Sequence, residues 1–142
     1  MRRVHHKLCE GDGILDFHYS VSTDKNIDEA VRALEERLKE HKFGVLWQLD
    51  LPAKLREKGV DYDTPYRILE VCNPHEAKRI LNANPLIGYF LPCKIVVYES
   101  NGMTHIGLPK PTVLMDIIGD HGLKEIAHGI EQALKQAIDL SV

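Results

Sequence analysis

At 142 residues, with 44% hydrophobic and 27% charged side chains, the chain has the size and composition of one domain with a sizeable core. Its 18 basic and 21 acidic residues leave a formal charge of -3, without the basic field that a phosphate backbone requires, so no nucleic-acid partner is expected. No run approaches the roughly 20 consecutive apolar residues that cross a bilayer, which predicts no membrane partner and a cytoplasmic location.

In chain order, residues 1–13 show neither helical nor strand period and end in Gly11-Asp12-Gly13, so they are read as a poorly ordered leader before a single domain over 14–142. From Ile14, the alternation of Leu15, Phe17, Tyr19 and Val21 predicts a first strand, broken at Ser22-Thr23-Asp24. Asn26 is an N-cap with Asp28 and Glu29 in the first turn, and Ile27, Ala30, Val31, Leu34 and Leu38 form the buried stripe of a helix stopped by Gly44. Val45 to Leu51 reads as the next strand. Pro52 to Tyr66 reads as a mobile connection in which Ala53 to Lys58 has the propensity for one short helix.

Tyr66 to Cys72 is a third strand, ended by Asn73-Pro74. Asn73 then caps a short helix with Pro74 in its first position and Ala77, Ile80 and Leu81 on one face, stopping near Asn84-Pro85. Cys93 to Glu99 is a fourth strand, and Asn101-Gly102 turns it into a return strand from Met103 to Leu108. Pro109 and Pro111 lack backbone donors, so Lys110 to Thr112 is placed on a sheet edge or bulge, and Val113 to Ile118 stays open between strand and helix. After His121-Gly122, the spacing of Leu123, Ile126, Ala127, Ile130, Leu134 and Ile138 predicts a long C-terminal helix. The order is β-α-β-β-(short α)-β-β-α: an α+β, two-layer sandwich with a mostly antiparallel sheet and helices on one face.

Three segments, His41 to Leu46, Leu69 to Pro74 and Gly88 to Tyr98, together resemble the bacterial family known as domain of unknown function 302, over Leu15 to about Ile138. That resemblance implies a two-layer α+β fold of TATA-binding-protein-like topology and a homodimer; the family carries no settled activity, and the cofactor is left unknown.

The candidate chemistry gathers at strand ends. Cys72, two residues before Pro74, and Cys93, directly after Pro92, lie at the ends of two predicted strands, whereas Cys9 lies in the leader and no CxxC pair occurs, so reduced thiols are expected. For Cys72 and Cys93 three readings stand: small buried hydrophobes, a reversible thiol pair or metal site completed by His75, or contact with a ligand. Cys72 before Asn73-Pro74 also sits where a helix N-terminus lowers a thiol pKa and attracts an anion. Lys94 and Lys110, the latter between Pro109 and Pro111, are candidates to hold an anionic ligand. Trp47, Tyr66, Tyr89, Phe90 and Tyr98 are assigned by default to the core, with Tyr89-Phe90 the pair suited to a groove or dimer seam. His5 and His6 carry loose metal-ligand chemistry on the leader; His18, His41, His105, His121 and His128 are assigned to the surface or to caps.

No carboxylate pair, Ser-His-Asp order or HExxH helix is visible, which weighs against an enzyme. The sequence reading is therefore a homodimeric module for a small molecule or partner, bordered by Cys72, Asn73, Pro92, Cys93, Lys94 and Lys110. The alternative is a thiol-redox or metal protein using Cys72 and Cys93.

Overall fold

The structure is a computed structural model and describes residues 4–5 and 16–142. Six strands form one sheet, every neighbouring pair antiparallel: β1 (Val4–His5), β2 (His18–Thr23), β3 (Gly44–Asp50), β4 (Tyr66–Cys72), β5 (Cys93–Ser100) and β6 (Met103–Pro109), in the spatial order β1-β2-β6-β5-β4-β3. The helices are α1 (Ile27–Glu40), α2 (Leu51–Glu57), α3 (Pro74–Ala83), α4 (Pro111–Ile118) and α5 (Lys124–Asp139), with 3-10 turns at Pro85–Phe90 and His121–Leu123. This is the predicted two-layer α+β fold. Strand β1 falls within the segment expected to be a leader; the rest of that segment, with Cys9 and His6, and the expected strand start at Ile14 and Leu15 lie outside the described residues.

Side chains alternate across a strand, so one face of the sheet collects Val21, Leu69, Val71, Ile95, Val97 and Ile106, all fully buried. The stripes of α1 (Leu34, Leu38) and α5 (Leu134, Ile138) close over them in one core. Each such side chain contributes about 1.5–3 kcal/mol by leaving water. Among the described residues no helix is long and apolar enough to cross a membrane.

The N-terminus of α1 is a complete capping box: the Asn26 side chain accepts from Glu29 N, and the Glu29 carboxylate accepts from Asn26 N. The helix ends differently from the expectation at Gly44. Lys42 takes the left-handed conformation at φ 65°, and Phe43 N donates to Leu38 O, so Gly44 is free to open β3. At the Asn101-Gly102 turn both residues have positive φ, 55° and 78°, as the predicted tight hairpin requires.

Further expectations are corrected or, where left open, resolved. Ser22 and Thr23 do not break the first strand: both pair with β6, and the Ser22 hydroxyl meets His105 Nδ1 at 3.0 Å, which gives a polar strand position a partner. The short helix in the connection is α2, started by the Asp50 side chain accepting from Ala53 N, and it takes Leu51 out of the strand. Lys110 to Thr112 is not on an edge. Strand β6 lies inside the sheet, Pro109 is its last paired residue, and Pro111 opens α4, where a missing N–H costs nothing. The ambiguous stretch from Val113 is therefore helical, ended by Gly119 at φ 81°.

Candidate functional site

The meander β4-β5-β6 brings the end of β4, the start of β5 and the end of β6 to one side of the sheet, because antiparallel neighbours run in alternate directions. Around those ends α3, the Pro85–Phe90 turn, α4 and α5 enclose a cavity of about 410 Å³. Ile80, Ile87, Met115, Ala127 and Ile130 form its buried floor, while Tyr89 stands at its rim, 84% exposed. Two of its fifteen lining residues are charged, Glu70 and Lys94. They are cross-strand partners on β4 and β5, alternating with Leu69, Val71 and Ile95 and so on the sheet face turned away from the helices, and Lys94 Nζ donates to Glu70 Oε1 at 2.5 Å. The volume lies in the range of small-molecule sites, which are mostly apolar with a few placed polar groups.

Of the residues singled out by sequence, Pro92, Cys93 and Lys94 line this cavity, flanked by Pro109 and Pro111. Cys72 and Asn73 line instead an adjoining crevice of about 10 Å³, which Cys93, Ile80, Leu91 and Ile130 share with the larger cavity. That volume holds about one water molecule at most. Lys110 is outside both linings: it is the N-cap of α4, and its ammonium donates to Asp16 at 2.8 Å, which holds the Asp16 carboxyl below its usual range. His75 is exposed and lines neither space.

The thiols are free, and neither is poised as a thiolate. Burial pushes the Cys93 thiol up to about 11, with the neighbouring Cys72 and Glu70 adding to the shift, and burial also raises Cys72. A helix N-terminus lowers a thiol pKa only through amides left open to it, and here they are taken: the Asn73 side chain accepts from His75 N at 3.1 Å and Glu76 N at 3.3 Å. Among the described residues no group of three or more His, Cys, Asp or Glu is placed to hold a metal ion. The cavity wall thus offers a protonated thiol, one neutralised ion pair and apolar surface.

The N-terminus of α4 is closed in a different way. Lys110 provides no side-chain cap; Glu131, on α5 and only 4% exposed, accepts from Thr112 N at 3.0 Å and from Thr112 Oγ1 at 2.7 Å, and pairs through its other oxygen with Lys135. Burial alone would raise the Glu131 carboxyl, but the donors of Thr112 and Lys135 outweigh it and hold the group below its ordinary value.

Sequence reading missed Glu70 and the whole apolar floor. Glu70 carried one usable signal, its place opposite Lys94 once the β4-β5 register is set. The aromatic assignments are corrected as well. Trp47 is 53% exposed on β3, Tyr66 stacks on Tyr98 and Tyr98 on His105 on the sheet face away from the helices, and of these aromatics only Phe90 packs against the core. His105, expected at the surface, is buried between Ser22 and the carbonyl of Ser100.

The family model described as Domain of unknown function DUF302 matches residues 19–141, nearly all of the described chain. The chain belongs to the DUF302 family. A crystal structure of an uncharacterized conserved DUF302 protein from Bacillus stearothermophilus is 54% identical, with a TM-score of 0.86 over 89% of this chain and 99% of that one. No curated protein matches the chain. The cavity, α3 and α4 all lie within the residues that the DUF302 model spans.

Proposed function

We propose that this DUF302 chain is a homodimeric binding module that takes a small molecule into the cavity at the ends of β4, β5 and β6, holding its ligand rather than transforming it. The observation that carries this reading is the cavity itself: about 410 Å³, apolar except for the Glu70–Lys94 pair, between helices packed on the sheet. The high pKa of Cys93 favours binding over thiol chemistry, since a protonated thiol is a weak nucleophile. The homodimer is supported by β3, a seven-residue edge strand with Leu46 and Trp47 exposed at 61% and 53%. An open apolar edge is the kind of surface that a second copy covers.

Thermal-shift screening of the full chain against a metabolite panel tests the ligand. Stabilisation is expected for ligands that compete for one site, and its loss is expected in Leu114→Trp, which fills the cavity from α4. A panel without effect, or equal shifts in the folded variant, counts against the cavity. Light scattering tests the assembly: a mass of twice 16.1 kDa is expected, and Trp47→Lys is expected to lower it to that of one chain.

A further inference from the structure

We infer that the cavity selects an uncharged amphiphile, an apolar body carrying one neutral hydrogen-bonding head such as a hydroxyl or amide, and rejects the carboxylate and ammonium of the same size. This rests on the binding reading above and adds the chemical class of the ligand.

Several observations converge on it. The two charged lining residues neutralise each other, with Glu70 Oε1 and Lys94 Nζ at 2.5 Å. A carboxylate head reaches Lys94 only by displacing Glu70 or by lying beside it, and an ammonium meets the same obstacle at Lys94. A hydroxyl or amide, in contrast, donates to Glu70 and accepts from Lys94 while the pair stays intact.

The backbone gives an anion no cradle. Pro92, Pro109 and Pro111 all line the cavity and have no N–H. The two helices that start beside it have spent their first amides: His75 N and Glu76 N on the Asn73 side chain, Thr112 N on Glu131 and Val113 N on the carbonyl of Lys110. Glu131 also places a negative charge at the start of α4, where Lys110 makes no side-chain cap. Lys110 and Lys135, the cations near the α4 start, are occupied by Asp16 and Glu131. What remains for a polar head is the Glu70–Lys94 pair, the Tyr89 hydroxyl and the Cys93 thiol, a set whose net charge is zero. Across the end of the sheet from that pair, Ile80, Ile87, Met115 and Ile130 accept only an apolar body.

The test is isothermal titration of the full chain at neutral pH with four probes of one chain length: a medium-chain n-alkanol, the n-alkanamide, the n-alkanoate and the n-alkylammonium. The alkanol and alkanamide are expected to bind, and the two ions to bind about tenfold more weakly or worse, because each must bury a charge without a free partner. In Glu70→Gln the freed Lys94 is expected to turn the order round, so that the alkanoate becomes the tightest ligand of the four. An alkanoate that binds wild type as tightly as the alkanol, or an order unchanged in Glu70→Gln, overturns the preference for neutral ligands but leaves the cavity as a binding site. Binding by none of the four, or alkanol binding unaffected in folded Leu114→Trp, overturns the site and the preference together.

Discussion

Helices α3 and α4 begin alike and are closed by opposite means. Each starts at a residue followed by proline, Asn73-Pro74 and Lys110-Pro111, and each faces the cavity. At α3 the cap is local: Asn73 satisfies the next two amides with its own side chain. At α4 the cap residue contributes nothing but its backbone, and a carboxylate nineteen positions along the chain, Glu131 of α5, takes Thr112 N and its hydroxyl. One helix start is secured by neighbours in sequence and the other by neighbours in space. The α4 start therefore depends on α5 being docked, and the cavity wall made by Leu114, Met115 and Ile130 is fastened by that same contact.

The sharpest test of this contrast removes the tertiary cap. Glu131→Ala is expected to cost about 2–3 kcal/mol in chemical denaturation, since it leaves the Thr112 amide and the Lys135 ammonium without their acceptor. Its penalty is also expected to depend on pH. The folded-state pKa of Glu131 is depressed, so its contribution is fully present above the unfolded-state value and is lost as pH falls through the folded one. Denaturation curves of wild type and Glu131→Ala should thus converge below the ordinary carboxylate range. Curves that stay equally far apart there would mean that packing of the side chain, and not its charge, is what α4 needs.

The local cap comes second in size. Asn73→Ala is expected to cost about 1 kcal/mol. Because an amide does not titrate, its difference from wild type should hold steady over the pH range in which that of Glu131→Ala shrinks; a shrinking difference would blur the distinction between the two helix starts. The smallest effect belongs to Lys110. Its bond to Asp16 ends on a half-exposed carboxylate, and Lys110→Met is expected to change stability by less than about 1 kcal/mol. A larger loss would show that the α4 start has a local fastening after all.

The same division runs through what was legible beforehand. Asn26 with Glu29, Asn73 with Pro74, and Asn101 with Gly102 name their own structures, because a cap or a tight turn is completed within a few residues. The stripes of α1 and α5 declared the helix layer, and three short segments sufficed for the DUF302 resemblance. Pro109 misled for a physical reason: a proline is barred from the interior of a central strand but tolerated as its last residue, and nothing local distinguishes the two. Of the strand-end residues, Pro92, Cys93 and Lys94 line one cavity, whereas Lys110 faces Asp16. Its partner is 94 residues away, beyond any pattern of spacing.

By itself, then, the sequence determined β2 to β6, α1, α3 and α5 and the apolar faces that must be buried, since caps, turns and hydrophobic period are short-range properties of the chain. Only the tertiary structure decided that Glu70 neutralises Lys94, that Glu131 closes α4, and that Ile80, Met115 and Ile130 leave a space between them. Those facts depend on strand register and on the docking of α3, α4 and α5, where distance along the chain no longer measures distance in the molecule.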